Sequence, residues 1–191
     1  MKQKGFTIIE LLVVISVISL VASVIMTTLS TARAKGRDAR RIADLRQIVN
    51  ALNLYYQNNG VYPPVTAPIG PGGWETSLGN FLPSLVAGQF ISSKPADPIN
   101  QVIAGFNLFV QQGNYYYAYY NYPATSAPNY GCSFNKPFSV IAIKEFEGGP
   151  KPEYSKAQCG TIPVGGCPMG GIATVCRDWS TEFNYSVMLV P

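Results

Sequence analysis

The stretch KQKGFTIIELLVVISVISLVASVIM, residues 2–26, decides the fold because it is apolar and long enough to cross a membrane. Phe6 to Leu29 is about 24 residues, which at about 1.5 Å per residue spans a hydrocarbon core of about 30 Å. The single charged side chain in this run is Glu10. Because a charge at the bilayer centre costs about 2.5–3.5 kcal/mol, an intramembrane carboxylate is a candidate functional residue whose partner must be found.

Two ordinary interpretations of this run leave something unexplained. A secretory signal peptide is one, since Ala32-Arg33-Ala34 offers a small-x-small cleavage site. The run exceeds the usual length of about 7–15 residues, contains Glu10, and continues into helix-compatible sequence, and all three features argue against that alternative. An uncleaved membrane anchor is the other, but it gives no reason for the position of Glu10.

The composition limits the function. With 191 residues and 47% hydrophobic composition, the chain suits one domain with an appendage and a real core. It contains no histidine, and therefore lacks the usual general base and the commonest metal ligand. We expect no enzyme activity, no catalytic residue, no metal site and no cofactor.

The segment KGFTIIELLVVISVISL resembles the leader junction and N-terminal helix of type IV pilins and of the pseudopilins of type II secretion. The resemblance implies that a prepilin peptidase cuts between Gly5 and Phe6 and that the new amine of Phe6 is methylated. Gly5 lets the backbone enter a protease cleft, while Lys2 and Lys4 hold this end in the cytoplasm. Glu10 becomes the fifth mature residue and can meet the Phe6 ammonium of a neighbouring subunit, which favours assembly over lipid.

One position departs from the family pattern. Pilins commonly carry a proline near mature residue 22, where this chain has Thr27, and no proline occurs before Pro63. The locally melted helix seen in many filaments is therefore not implied. Hydroxyl side chains nearby could still weaken the helix by competing for backbone hydrogen bonds, namely Thr27, Thr28, Ser30 and Thr31.

An amphipathic pattern follows the apolar run, from Thr31 to Asn58. Apolar residues recur at spacings of three and four, which predicts one stripe of a helix: Ile42, Leu45, Val49, Leu52 and Tyr56. We expect one long helix whose first half lies in membrane or filament core and whose second half packs on a head. Asn58-Asn59-Gly60 should end this helix.

The rest of the chain predicts a small sheet. Pro63–Gly73 should be a loop, Pro83–Ala87 a short helix and Asp97-Pro98 a turn. Three runs rich in aromatic and β-branched residues predict an antiparallel sheet of three to four strands, namely Tyr115–Tyr122, Phe138–Phe146 and Phe183–Val190. The expected fold class is therefore α+β, and the resemblance implies that it is the pilin fold. Its expected divisions are a leader at 1–5, a membrane or filament-core helix at 6–30, and a head at 31–191 that includes a loop at 60–114.

The tyrosine run NYYYAYYNY, residues 114–122, should place alternate rings on opposite faces of the sheet. One set would pack on the helix. The other set would either pack across strands with its hydroxyls in water or form an adhesive surface.

All four cysteines lie in the C-terminal part: Cys132, Cys159, Cys167 and Cys176. No Cys-x-x-Cys pair exists, so zinc is disfavoured, and an exported head favours two disulfides. Sequence alone leaves three pairings open. The resemblance to pilins, in which a disulfide commonly ties the C-terminal region to the sheet, favours Cys132–Cys176 enclosing Cys159–Cys167.

Positive charge is concentrated in one helical segment, which we expect to form a basic patch: Arg33, Lys35, Arg37, Arg40, Arg41 and Arg46. Its partners could be anionic headgroups, acidic groups on adjacent subunits, or DNA.

The resemblance to pilins implies that the chain is a structural subunit of a type IV pilus. The alternatives are the major pseudopilin of a type II secretion system and, in another class, a membrane-anchored module that binds DNA or a surface. The expected partners are copies of the chain, the prepilin peptidase, the inner-membrane pilus assembly machinery and the membrane before assembly, with DNA and host or abiotic surfaces as further candidates. The precursor should cross the cytoplasmic membrane once, with its N-terminus in the cytoplasm, and the assembled pilus should be extracellular.

Overall fold

The computed structural model describes residues 5–66, 74–103, 113–130, 132–150 and 183–190, without the side chains of Thr27, Asn129 and Tyr130. Its elements, in chain order, are α1 (Ile8–Asn59), β1 (Glu75–Thr76), α2 (Pro83–Ala87), β2 (Tyr117–Tyr122), a 3₁₀ helix (Ala124–Tyr130), β3 (Phe138–Ile143) and β4 (Tyr185–Leu189). A long N-terminal helix packed on a small antiparallel sheet confirms the predicted α+β class.

Helix α1 runs unbroken for 52 residues, or about 78 Å. It ends at Gly60, whose φ of 73° is the left-handed cap that glycine adopts without strain, so the predicted end is confirmed. The hydroxyls within the apolar half donate to carbonyls three or four residues earlier, as in Ser19 to Ile15 at 2.8 Å and Thr28 to Ile25 at 2.9 Å. The hydrogen bonds of these hydroxyls therefore stay within the helix, and the helix continues through them.

The sheet has the order β1-β2-β3-β4, with every neighbouring pair antiparallel. Tyr117 pairs with Ile143 and Tyr119 with Ile141. The three predicted strands are confirmed with tighter bounds. Strand β1 lies inside the segment 60–114, which we predicted as a loop. The sequence did not reveal this strand, because two residues are too few to show an alternating pattern.

The helix-facing side of the sheet forms one core. The predicted stripe is confirmed, since Leu45 and Leu52 are fully buried against this face and Ile42, Val49 and Tyr56 pack partly buried at its edge. The sheet contributes Tyr117, Tyr119, Ile141, Ile143 and Leu189 to the same core.

The opposite face of the sheet is also covered, and Tyr122 stacks there on its cross-strand partner Phe138 with 4.9 Å between ring centroids, which confirms packing across strands at this position. Trp74 and Phe183 pack there with Tyr116, so no adhesive tyrosine surface exists at this ring. On the helix side, the hydroxyl of Tyr117 donates to Asp44 at 2.8 Å and that of Tyr119 to the carbonyl of Pro63 at 2.8 Å. Burial raises the pKa of both phenols above its usual value.

A buried carboxylate explains the short strand β1. Glu75 is fully buried and accepts hydrogen bonds from the backbone N–H groups of Thr66 at 2.7 Å and Leu82 at 2.8 Å. It thereby joins the segment after α1 to the start of α2, whose predicted bounds are confirmed. The carboxyl group is tolerated in the core because two backbone N–H groups bond to its oxygens.

Two leucines on α1 give a matched test of this packing. Leu52→Ala should lower the free energy of unfolding by about 2–5 kcal/mol, because the removed side chain leaves a cavity in the core. Leu54 is 51% exposed, so Leu54→Ala should change it by less than about 0.5 kcal/mol. Denaturant unfolding of both variants measures the difference, and equal losses would contradict the described packing.

Candidate functional site

The N-terminal half of α1 stands free of the head. Its large apolar side chains are exposed along the whole run, from Ile8 at 80% to Met26 at 73%. A window in this helix has a mean hydropathy of 2.8, so the helix is long and apolar enough to cross a membrane. Apolar surface of this extent requires lipid or other protein around it.

Glu10 lies in the first turn of α1 and is held by its own chain. Its Oε2 accepts hydrogen bonds from the Thr7 N–H at 2.8 Å and the Thr7 hydroxyl at 2.7 Å, and its own N–H donates to Thr7 Oγ1 at 3.3 Å. This reciprocal arrangement is a capping box. The carboxylate borders a shallow groove of about 360 Å³ formed with Phe6, Ile9, Val13 and Val14.

This geometry lowers the expected cost of placing a charged Glu10 in the apolar run. Glu10 is only two residues into the helix, or about 3 Å along its axis, so it lies near one edge of the apolar run. The full penalty for a charge at the bilayer centre therefore does not apply. We did not predict the role of Thr7, although the pattern Thr-x-x-Glu before an apolar run was readable in the sequence.

The predicted cleavage site precedes the helix. Gly5 and Phe6 are in non-helical backbone, and Phe6 is 89% exposed. A Cβ added to Gly5 would meet no atom within 4 Å. The fold of this chain therefore makes no demand for glycine at this position, and any such demand comes from a partner.

Arg41 corrects our expectation of a six-residue basic patch, because it is completely buried. Its guanidinium donates to both carboxylate oxygens of Asp97 at 2.6 and 2.9 Å, to Asp38 at 2.7 Å and to Glu147 at 3.0 Å. The ring of Tyr115 lies 4.9 Å from its central carbon. Arg41 thus joins α1 to the segment after α2 and to the turn after β3.

The other five cations divide into two groups. Arg37 donates to Glu147 Oε1 at 2.7 Å, and Arg40 lies 3.7 Å from Asp44. Arg33, Lys35 and Arg46 are exposed and form no ion pair with any residue that the structure describes. Among the described residues, the exposed cations of the patch without an ion pair are therefore these three.

The contacts within the network shift the pKa values of Arg41 and Glu147. Burial alone would lower the pKa of Arg41, but its bonds to Asp97, Glu147 and Asp38 raise that pKa above its usual value. The hydrogen bonds from Arg37 hold the pKa of Glu147 below its ordinary range. The stability that Glu147 contributes is therefore present above a pH of about 4.3 and lost as the pH falls through its folded pKa.

The structure describes one of the four cysteines, so it tests the cysteine and metal predictions only in part. Cys132 is buried and takes part in a disulfide, and its Sγ lies 3.7 Å from Met188 Sδ. Cys159, Cys167 and Cys176 lie outside the described residues, so the pairing stays a prediction. Among the described residues, no group of three or more His, Cys, Asp or Glu side chains could hold a metal ion.

Removing Arg41 should destabilise the head strongly. Arg41→Met leaves Asp38 and Asp97 buried without their cation, which should cost about 3–5 kcal/mol of unfolding free energy. Arg46→Met removes an exposed charge from the same helix and should cost less than about 0.5 kcal/mol. Thermal and denaturant unfolding provide the measurement, and a small loss in Arg41→Met would show that water can enter the network.

Comparison with known proteins locates the similarity at the N-terminal part. Residues 1–26 match the family model described as the prokaryotic N-terminal methylation motif. The chain is 32% identical over 102 residues to the type II secretion system core protein G of Escherichia coli (strain K12), covering 51% of this chain and 67% of that protein.

Two pilus proteins are similar as well. The type IV major pilin protein PilE of Neisseria gonorrhoeae is 28% identical over 110 residues, covering 56% of this chain and 65% of that protein. The type IV wide pilus major component PilA4 of Thermus thermophilus is 33% identical over 84 residues, covering 44% and 64%. The chain spans between about two fifths and two thirds of the length of the relatives it matches. No solved structure matches it.

Proposed function

Because this chain belongs to the family of type IV pilins and type II secretion pseudopilins, we propose that it is the structural subunit of a type IV pilus. One observation carries the proposal: an exposed apolar helix of about 33 Å, Ile8 to Leu29, projects from a folded head. The carboxylate of Glu10 lies in the first turn of this helix, in a capping box. Such a helix can reside in a membrane as a monomer or among copies of itself in a filament.

Processing of the precursor is the first step of this function. A prepilin peptidase cuts between Gly5 and Phe6, and the new amine of Phe6 is methylated. The exposed, non-helical backbone at both residues supports access for a protease. Residues 1–5 are then the leader, 6–30 the membrane and filament-core helix, and 31–191 the head.

Assembly then depends on how Glu10 is satisfied. In the monomer, the carboxylate accepts two hydrogen bonds from Thr7. In the filament, it pairs with the Phe6 ammonium of a neighbouring copy. A carboxylate keeps acceptor sites beyond those that Thr7 uses, so the pair can form without loss of the cap. The ion pair gains strength from its apolar surroundings.

The similarity to core protein G supports a second candidate, the major pseudopilin of a type II secretion system. Both functions use the same processed helix, so they are separated by what a deletion strain loses. Loss of surface filaments, seen by electron microscopy, supports the pilus. Intact surface filaments with loss of secreted proteins from the medium support the pseudopilus.

Replacement of Gly5 tests the processing step. Gly5→Leu should leave full-length precursor in the membrane, because a peptidase cleft that requires close backbone approach excludes the side chain. Lys4→Gln, the neighbouring substitution, should still be cleaved. Mass spectrometry of the wild type should find a chain that starts at Phe6 with one added methyl group. A mature chain that starts at Lys35 would instead indicate a conventional signal peptide.

Three variants separate the charge of Glu10 from its cap. Glu10→Gln keeps the capping box, because glutamine also serves at this position, but it loses the charge. It should therefore be inserted and cleaved but yield few filaments, as should Glu10→Ala. Thr7→Val removes the side-chain cap, worth about 0.5–2 kcal/mol, and keeps the charge, so it should assemble better than Glu10→Gln.

Filament yield per cleaved subunit, from sheared surface fractions, gives the comparison. Normal filaments from Glu10→Gln would mean that the charge does not drive assembly. A Thr7→Val defect as severe as that of Glu10→Gln would assign the effect to helix capping instead.

A further inference from the structure

The described acidic side chains of the head all form hydrogen bonds within the chain, whereas three of its cations form no ion pair with any described residue. Every described acidic side chain of the head already accepts hydrogen bonds from the chain's own donors: Asp38, Asp44, Glu75, Asp97, Glu145 and Glu147. Arg33, Lys35 and Arg46 are exposed and have no ion-pair partner in the described part of the chain. These three cations can therefore meet an anionic group that lies outside the described residues.

The height of each cation along α1 narrows the choice of partner. At about 1.5 Å per residue, Arg33 lies about 6 Å and Lys35 about 9 Å beyond Leu29, the last residue of the apolar run. The headgroup layer of one leaflet is about 5–8 Å thick, and long basic side chains extend toward it. Arg46 lies about 25 Å beyond Leu29, well outside this layer.

The directions in which Arg33 and Lys35 point narrow the choice of partner further. Residues two apart on a helix point about 200° apart, so Arg33 and Lys35 face opposite sides of α1. A rigid partner such as a DNA duplex contacts one side of a helix and cannot reach both. Lipid headgroups surround a membrane-spanning helix and meet both side chains at the same depth.

We propose that Arg33 and Lys35 bind the phosphates of anionic lipid headgroups in the leaflet next to the head. Arg33 can hold one phosphate through two parallel N–H donors, while Lys35 acts as a compact charge. This inference rests on the proposed function only in placing Ile8–Leu29 in a membrane. The contact sets the depth of the monomer, keeps Glu10 near the opposite edge, and has to be released when the subunit leaves the membrane.

The test uses the full chain in lipid nanodiscs in which about a third of the lipids are phosphatidylglycerol and the rest phosphatidylcholine. Native mass spectrometry counts the phosphatidylglycerol molecules that stay on the released monomer. The double variant Arg33→Gln/Lys35→Gln should retain about half as many as the wild type or fewer. Arg46→Gln is the matched control, because it removes an exposed cation from nearly the same helix face as Lys35, and it should retain the wild-type number.

Each other outcome has a defined meaning. Equal loss in Arg46→Gln would show diffuse attraction to a basic head and would overturn the proposal, as would no loss in the double variant. A DNA duplex that binds the embedded chain with equal dependence on Arg33, Lys35 and Arg46 would assign these cations to nucleic acid. Because lipid retention is measured on monomers, a negative result leaves cleavage at Gly5 and filament assembly untouched, so the two proposals fail separately.

Discussion

The contact of the buried Arg41 guanidinium with three carboxylates determines how the head sits on the helix. Asp38 is on α1 itself, Asp97 is 56 residues from Arg41 in sequence, and Glu147 is 106 residues away. One side chain therefore fixes two distant segments to the helix. Acidic groups that converge in this way would otherwise repel one another or require a metal ion. Here a cation that belongs to the chain itself meets this need through four hydrogen bonds to the three carboxylates.

Helix α1 thus stabilises a charged side chain in two different ways, at Glu10 and at Arg41. At Glu10 the charge lies at the edge of an apolar segment and is held by Thr7, which leaves acceptor capacity for another molecule. At Arg41 the charge is completely buried, and four hydrogen bonds to carboxylates of the same chain hold it. The first arrangement fits the change of partners that we propose for Glu10 during assembly. The second suits a residue that keeps the subunit rigid throughout.

What could be predicted from the sequence was local. The end of α1 at Gly60 and the start of α2 at Pro83 follow from conformational preferences of single residues. The fate of Arg41 could not be predicted, because it depends on carboxylates that the chain brings together only after the sheet has formed. The covered outer face of the sheet depends in the same way on Trp74 and Phe183, which are distant in sequence from the tyrosine run.

The attachment of the head along the C-terminal half of α1 has a mechanical consequence. Tension on the proposed filament would pull each helix along its axis, and the packed half of α1 lies beside the sheet instead of meeting it end-on. Such a load shears many contacts together and does not peel them one after another. Arg41 lies near the end of the packed segment that is closest to the apolar half, where the load enters. Its paired bonds to Asp97 would have to stretch at the same moment, so the head should resist sliding along its own helix.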